Sequence, residues 1–260
     1  MKNTLILAGM LLLCLQLSAQ RKMPPFSLSD NNLKGPVKSV TTYYEDNLNG
    51  MPYTETAHYN RMGYLERRSV NGEMRSGTTS YLFDESGRLV GEEYADFYTA
   101  KTTYTYDKKG CIVRAITVSD YTEEDTIEYD TSVFVNHKDC KPQYIIHSSI
   151  TDTLLYDKSG RLTTITNGYY HVEYTYDAAG NMVEENRNRG ESVDRYVFDK
   201  DGNVIESWSL QDGIEEKHFH FKYSDKRDPY GNWLQYTVTY QYEGETLADN
   251  VSRTIEYFSK

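Results

Sequence analysis

A short motif recurs along most of this 260-residue chain: an aromatic residue, then Asp or Asn, two variable residues and Gly. Its copies are Tyr59–Gly63, Phe83–Gly87, Tyr106–Gly110, Tyr156–Gly160, Tyr176–Gly180 and Phe198–Gly202, with a divergent copy at Asp228–Gly231. The segment 136–139 supplies one more unit if Asp139 takes the glycine position, since Asp tolerates a left-handed backbone better than most residues. The units then recur every 20 to 29 residues, a spacing that is typical of repeat architectures.

The motif predicts a tight turn between two antiparallel strands. Its Asp accepts a hydrogen bond from the backbone N–H two residues on, the next two residues form a type I turn, and Gly takes a positive φ as part of a bulge. The residues with this expected role are Asp84, Gly87, Asp107, Gly110, Asp157, Gly160, Asp177, Gly180, Asp199, Gly202, Asp228 and Gly231. Because backbone geometry accounts for them, we expect these residues to be structural and not catalytic.

A cross-strand pair is expected beside each turn. A large apolar residue stands two positions after each motif glycine, where it would face the aromatic residue that precedes the Asp. These apolar residues are Leu65, Leu89, Ile112, Leu162, Met182, Val204 and Trp233. We expect the pairs to pack in the core of the fold.

The opposite ends of the hairpins carry turn signals of their own. They include Asn49-Gly50, Asn71-Gly72, Asn167-Gly168 and Asp212-Gly213. Dipeptides of this kind favour two-residue hairpin turns, and no stretch of the chain shows a sustained helical period. We therefore predict an all-β fold, an antiparallel meander of about sixteen strands built from tandem hairpin repeats into a curved or partly rolled sheet.

The N-terminus has the pattern of a signal peptide. Lys2 gives a positive start, residues 5–17 form an apolar run too short to span a bilayer comfortably, and Ala19 offers a cleavage site. We predict a signal peptide at 1–19, a lead-in at 20–36 and a single repeat domain at 37–260. Export would lead to the periplasm, the cell surface or the medium. Leu13 stands where a lipoprotein signal needs a small residue, which argues against a lipid anchor at Cys14.

Composition narrows the class of partner. The formal net charge of −11 argues against nucleic acid and anionic membrane surfaces, since both attract clustered Lys and Arg. No later segment is long and apolar enough to be a membrane helix, so we expect no integral membrane segment after signal cleavage. The 25 tyrosines outnumber the 8 phenylalanines. Tyrosine suits strands with a half-wet face, which indicates an extended sheet with modest burial.

The repeated Tyr-Asp-x-x-Gly pattern resembles the YD or RHS (rearrangement hotspot) repeat over roughly residues 37–257. The segments 32–40 and 230–233 also resemble small exported bacterial proteins that carry such repeats. In large relatives the repeats wind into a spiralling β-sheet shell around a toxin segment, and eight units are expected to be too few to close such a shell. The resemblance implies a fold much more strongly than a function.

Two sets of residues are candidates for chemistry. Glu216, His218 and His220 alternate, so a strand would place all three on one face as weak candidates for metal ligands. No further ligand is evident in the sequence, and a solvated strand face is the expectation, with no metal or other cofactor. Cys111 and Cys140 follow the glycine positions of adjacent units. Such positions are expected about 9–10 Å apart, beyond disulfide reach, although an irregular unit around Asp139 leaves the bond open.

The leading interpretation is a non-catalytic exported repeat protein, a cell-envelope or secreted scaffold that binds an unidentified protein or a glycan. The first alternative is an outer-membrane β-barrel. Against it, charged residues are expected on the same face as the apolar residue after each glycine, where they would meet lipid. These are Arg67, Arg114, Glu184 and Glu206. A hydrolase on the same sheet is the second alternative, and it rests only on the general capacity of folds to carry sites.

Overall fold

The computed structural model describes residues 27–28, 31–45, 51–73, 76–121, 126–135, 138–242 and 244–259. The predicted signal peptide, with Cys14, lies outside these residues. Eighteen strands and their connecting turns make up the described chain, which confirms the all-β prediction. Within the described ranges, no helix has the length and apolar character needed to cross a bilayer.

The strands follow one another with short connections. They are β1 (Val37–Tyr44), β2 (Tyr53–Tyr59), β3 (Leu65–Gly72), β4 (Ser76–Phe83), β5 (Leu89–Ala95), β6 (Thr99–Tyr106), β7 (Ile112–Tyr121), β8 (Thr126–Val135), β9 (Tyr144–Ile146), β10 (Thr151–Tyr156), β11 (Leu162–Thr166), β12 (His171–Tyr176), β13 (Met182–Arg187), β14 (Ser192–Phe198), β15 (Val204–Gln211), β16 (Ile214–Tyr223), β17 (Gln235–Tyr242) and β18 (Glu245–Tyr257).

Each strand pairs antiparallel with its neighbours in the chain, so the sheet is a meander as predicted. The last strand, β18, also pairs with β1 from Val37↔Tyr257 to Tyr44↔Val251, which closes the sheet into a barrel. The expectation of a partly rolled sheet was therefore wrong, since the eight units close on themselves as a barrel. Closure pairs the backbone groups of two edge strands that would otherwise be exposed.

All motif turns lie at one end of the barrel, because each motif follows an even-numbered strand. We call this the motif end, and we call the opposite end, formed by the turns that follow odd-numbered strands, the far rim. At the motif end the ladder register shifts by one residue beside the turn of each of the six complete motif copies, as between His58 and Tyr59. The predicted cross-strand pairs are present, for example Tyr59↔Leu65, Phe83↔Leu89 and Tyr156↔Leu162. In the divergent copy, Trp233 instead pairs with Arg227.

The register shift decides which side chains face inward. It is a β-bulge, so the residue two after the motif glycine and the residue four after it lie on opposite faces. Leu65 is buried inside, whereas Arg67 is exposed and pairs with His58 on the outside. The expectation that both lie on one face was wrong for this reason. The charged residues of this position, Glu206 among them, lie on the outer wall.

The apolar core fills the barrel from the motif end. Its buried members include Val37, Tyr59, Leu65, Leu89, Phe134, Ile145, Leu154, Leu162, Ile165 and Tyr174. Towards the far rim the inward positions become polar, as at Glu55, Thr117 and Asp249. The interior is therefore apolar near the motif end and more polar towards the far rim.

The described part of the lead-in closes the motif end. Leu33 is buried in the core, and Ser27 forms an isolated bridge with Tyr64. Further along, the Lys34 backbone N–H donates to Asn232 Oδ1 at 2.8 Å. The Asn32 amide also donates to Asn203 Oδ1 at 2.9 Å. These contacts join the described part of the lead-in to turns that lie far from it in sequence.

The core predicts a sharp contrast between two neighbouring leucines of β10. Leu154 is 1% exposed and Leu155 is 53% exposed. We expect Leu154→Ala to lower the free energy of unfolding by about 2–5 kcal/mol, since it removes buried methyl groups and leaves a cavity. Leu155→Ala, the matched control, should change it by less than about 1 kcal/mol. Urea unfolding followed by circular dichroism measures both, and equal losses would contradict the inward assignment of Leu154.

Candidate functional site

The motif aspartates are committed to their own turns. Asp84 Oδ1 accepts hydrogen bonds from the backbone N–H groups of Ser86 and Arg88, both at 2.9 Å, and Gly87 has φ of 78°. Hydrogen bonds from Ser86 and Arg88 hold the pKa of the Asp84 carboxyl well below its usual range. The other motif aspartates and glycines named from the sequence form the same kind of turn at the motif end. There each aspartate side chain accepts a hydrogen bond from a backbone N–H group of its own turn.

Cys111 and Cys140, whose pairing the sequence left open, form a disulfide with 4.8 Å between their Cα atoms. The expected separation of 9–10 Å does not apply, because Cys111 precedes β7 and Cys140 follows β8, and these two strands are direct neighbours. Asp139 and Cys140 both have positive φ, at 54° and 60°. This tight turn between Lys138 and Lys141 brings the second cysteine to the first.

His218 and His220 lie on the outer wall, where the structure adds a residue that the sequence did not indicate. Glu206 of β15 pairs directly with His220 of β16. Its Oε1 atom is 2.7 Å from His218 Nε2 and 3.5 Å from His220 Nδ1. Glu216, the third residue of the predicted set, lines the same shallow depression, but the carboxylate against both rings is that of Glu206. Only the pairing of β15 with β16 could have revealed it.

Aromatic side chains gather at the far rim. Tyr98, in the turn between β5 and β6, has its ring centroid 4.9 Å from that of Tyr94, 5.1 Å from Phe97 and 5.1 Å from Tyr121. We call these four residues the rim cluster. Phe97 is 65% exposed, and the carboxylate of Asp96 lies beside it in the same turn. The cluster presents an apolar ring face next to a hydrogen-bond acceptor.

A second aromatic group lies on the inner wall around Arg253. The guanidinium carbon of Arg253 is 3.4 Å from the centroid of the Trp233 ring, and Tyr236 packs edge-on against Trp233 at 5.0 Å. Burial lowers the pKa of Arg253 to about 10 and raises that of Tyr223 to about 12. The rings of this group are used in packing against one another.

One buried carboxyl, that of Glu92, faces the interior, and no cationic group among the described residues pairs with it. Glu92 Oε1 accepts a hydrogen bond from the Tyr104 hydroxyl at 2.9 Å, and both residues are buried. Burial raises the pKa of Glu92 from an ordinary 4.5 to about 7. At neutral pH this side chain is therefore poised between its neutral and ionised forms.

Three further side chains have the residue types of a hydrolytic triad. Ser132 Oγ is 3.0 Å from His147 Nδ1, and His147 Nε2 is 3.2 Å from Asp152 Oδ2. Ser132 and Asp152 are both buried, so the hydroxyl does not stand at an open surface where a substrate carbonyl could reach it. The Asn167 amide also donates to Asp152 Oδ1 at 2.7 Å. The network therefore connects β8 to the short hairpins that follow it.

Glu92 predicts a pH-dependent stability. Between about pH 4.5 and 7 the folded chain keeps a proton that the unfolded chain loses, so stability falls as pH rises through this window. The raised pKa corresponds to about 3 kcal/mol above pH 7. We expect Glu92→Gln to stabilise the barrel by up to this amount at pH 8 and by little at pH 4, in urea unfolding. Glu93→Gln on the adjacent exposed position is the control, and a pH-independent effect of Glu92→Gln would contradict the assignment.

Asp152 predicts the opposite dependence. Burial alone would raise its pKa, but hydrogen bonds from His147, Asn167 and Tyr170 outweigh burial and lower it. Its contribution to stability is present above the pKa of the unfolded chain and is lost as pH falls through the folded pKa. We expect Asp152→Asn to lower the free energy of unfolding by about 2–4 kcal/mol at pH 7 and by less in acid. Asp201→Asn, at an exposed turn position, should have little effect in the same urea titration.

Comparison with known proteins gives one family match. Residues 156–192, which contain two complete copies of the motif, match the RHS Repeat family. No protein of curated function matches the sequence significantly.

Solved structures are similar at low sequence identity. A porin-like protein from Bacteroides uniformis ATCC 8492 is similar with 12% identity and a TM-score of 0.49, over 85% of this chain and 98% of that one. A TcdB2-TccC3-Cdc42 structure has 12% identity and a TM-score of 0.38, over 75% of this chain and 11% of that one. TcdB2-TccC3 without its hypervariable C-terminal region has 12% identity and the same TM-score, over 74% and 12%.

Proposed function

Since residues 156–192 match the RHS Repeat family, we propose that this chain is a non-catalytic exported scaffold that binds a glycan at the far rim of its barrel. The observation that supports the proposal is the rim cluster, in which Phe97 is exposed beside Tyr94, Tyr98 and Tyr121. The repeats form the wall of the barrel, and the ligand binds at the far-rim turns, where the repeats differ in sequence.

The two ends of the barrel differ in what they offer a ligand. At the motif end the carboxylates bind their own backbone, and the lead-in lies across the turns. At the far rim, the turn that carries Phe97 is exposed, and so is Tyr169 in the turn between β11 and β12. The far rim therefore offers the exposed rings of Phe97 and Tyr169 for binding.

Sugar rings suit the rim cluster. An aromatic face packs against the apolar face of a pyranose, while nearby carboxylate and hydroxyl groups bond to the sugar hydroxyls. Asp96 Oδ1 already accepts a hydrogen bond from Ser76 Oγ at 2.5 Å, which holds the carboxylate at the edge of the cluster. A protein partner would pack against the same rings without presenting sugar hydroxyls. Binding to a glycan array therefore distinguishes a carbohydrate ligand from a protein partner.

Export is part of the proposal. It is supported by the apolar run at residues 5–17 with its cleavage site. The Cys111–Cys140 disulfide agrees with an oxidising compartment outside the cytosol.

The outer wall favours a barrel in water over one in lipid. A lipid-facing wall needs a continuous apolar band, and a charged side chain near the bilayer midplane costs about 2–4 kcal/mol. Here Arg67, Lys101 and Glu173 are all exposed on the outer wall. We therefore place the barrel in an aqueous phase of the envelope or outside the cell, and we assign it no reaction.

A glycan array tests the binding proposal. We expect the purified protein to bind a subset of glycans and Phe97→Ala to weaken that binding about tenfold, equivalent to ~1.4 kcal/mol. Tyr129→Ala is the matched control, because Tyr129 is 73% exposed but lies on the outer wall of β8. Uniform weak binding to all glycans, or equal loss in the two variants, would sink the carbohydrate proposal and leave a protein partner.

A further inference from the structure

The outer wall carries a group of side chains that the proposed function does not use. Strand residues two apart point to the same face, so His218 and His220 of β16 lie side by side. The ladder places Glu206 of β15 opposite His220, and Trp208 opposite His218. We propose that Glu206, His218 and His220 form a binding site for one divalent transition-metal ion, Zn²⁺ in the first instance.

The distances between the donor atoms suit such an ion. In a tetrahedral site with bonds of about 2.0–2.1 Å, the ligand atoms lie about 3.3–3.5 Å apart. Glu206 Oε1 and His220 Nδ1 are already 3.5 Å apart, and all three donor atoms lie within 4.8 Å of one another. Glu206 Oε1 and His218 Nε2, now in hydrogen-bonding contact at 2.7 Å, need to open by about 0.6 Å. The two imidazole donors, no more than 4.8 Å apart, also need to lie about 3.3–3.5 Å from each other.

Two neighbours hold His218 in the required orientation. Its second ring nitrogen, Nδ1, lies 3.4 Å from Glu215 Oε1, and the Trp208 ring packs against its ring at 5.5 Å. A carboxylate on the second nitrogen of a metal-binding histidine fixes the tautomer and raises the basicity of the donor nitrogen. Glu215 is placed to do this for His218, with Nε2 directed at the metal.

The donor set defines the class of ion. Two imidazole nitrogens and one carboxylate oxygen favour Zn²⁺, Cu²⁺ or Ni²⁺ over Ca²⁺ and Mg²⁺, which prefer oxygen ligands throughout. Three protein ligands leave one coordination position open. His220 has 59% of its side chain exposed, so the open position is accessible to water or to a donor group of another molecule.

The same wall offers a matched comparison. His171 Nε2 lies 3.4 Å from Glu173 Oε1 on β12, which is a histidine–carboxylate pair like that of β15 and β16. Among the residues that the structure describes, only the Glu206 group brings three such side chains within metal-binding distance. The pair at His171 therefore controls for histidine and charge without a complete ligand set.

Calorimetric titration of the EDTA-treated protein with ZnCl₂ tests the site. We expect one Zn²⁺ per chain, with His218→Asn, His220→Asn and Glu206→Gln each weakening binding by at least about tenfold, since even loss of a supporting neighbour costs that much. Glu215→Gln should weaken it less. His171→Asn should leave it unchanged, and circular dichroism checks that every variant is folded.

A crystal soaked in ZnCl₂ gives a test that needs no variant, since an anomalous peak is expected between His218 and His220. Failure to saturate at one ion per chain, equal weakening by His171→Asn and His218→Asn, or a peak elsewhere would overturn the proposal. Glycan binding at the far rim is measured separately, so either proposal can fail alone.

Discussion

The pairing of β18 with β1 is the contact on which the rest of the structure depends. It joins residues more than two hundred positions apart, over the length of β1 from Val37 to Tyr44. Closure removes both free edges of the sheet, and it gives the barrel an inner and an outer face. In an open sheet, the aromatic–apolar pairs would lie on one face, and no opposite wall of the barrel would pack against them.

The bulge beside each motif turn then sorts side chains between these faces. It sends the apolar residue after the glycine into the core and the next charged residue outward, as with Leu65 and Arg67. The same shift places Glu206 outside, within reach of two histidines. The bulge that directs apolar residues into the core therefore also determines where charged side chains lie on the outer wall.

The repeat leaves the two ends of the barrel with different properties. The motif end is occupied by aspartate–backbone hydrogen bonds and by the lead-in, through the buried Asn232. The far rim has turns that vary in length and composition, and there Phe97 and Tyr169 remain exposed. The stabilising contacts of the motif end and the proposed binding site therefore lie at different ends of the same hairpins.

Local interactions explain what could be read from the sequence. The turn at Asp84, the pair Phe83↔Leu89 and the hairpin order each depend on residues close in the chain, so the motif determined them by itself. Closure, the Cys111–Cys140 bond and the meeting of Glu206 with His218 and His220 were decided by the tertiary structure alone. These features depend on strand register, because a bulge or an irregular turn moves a side chain to the other face of the sheet or brings it next to a neighbouring strand. The motif does not specify how those shifts accumulate around eighteen strands.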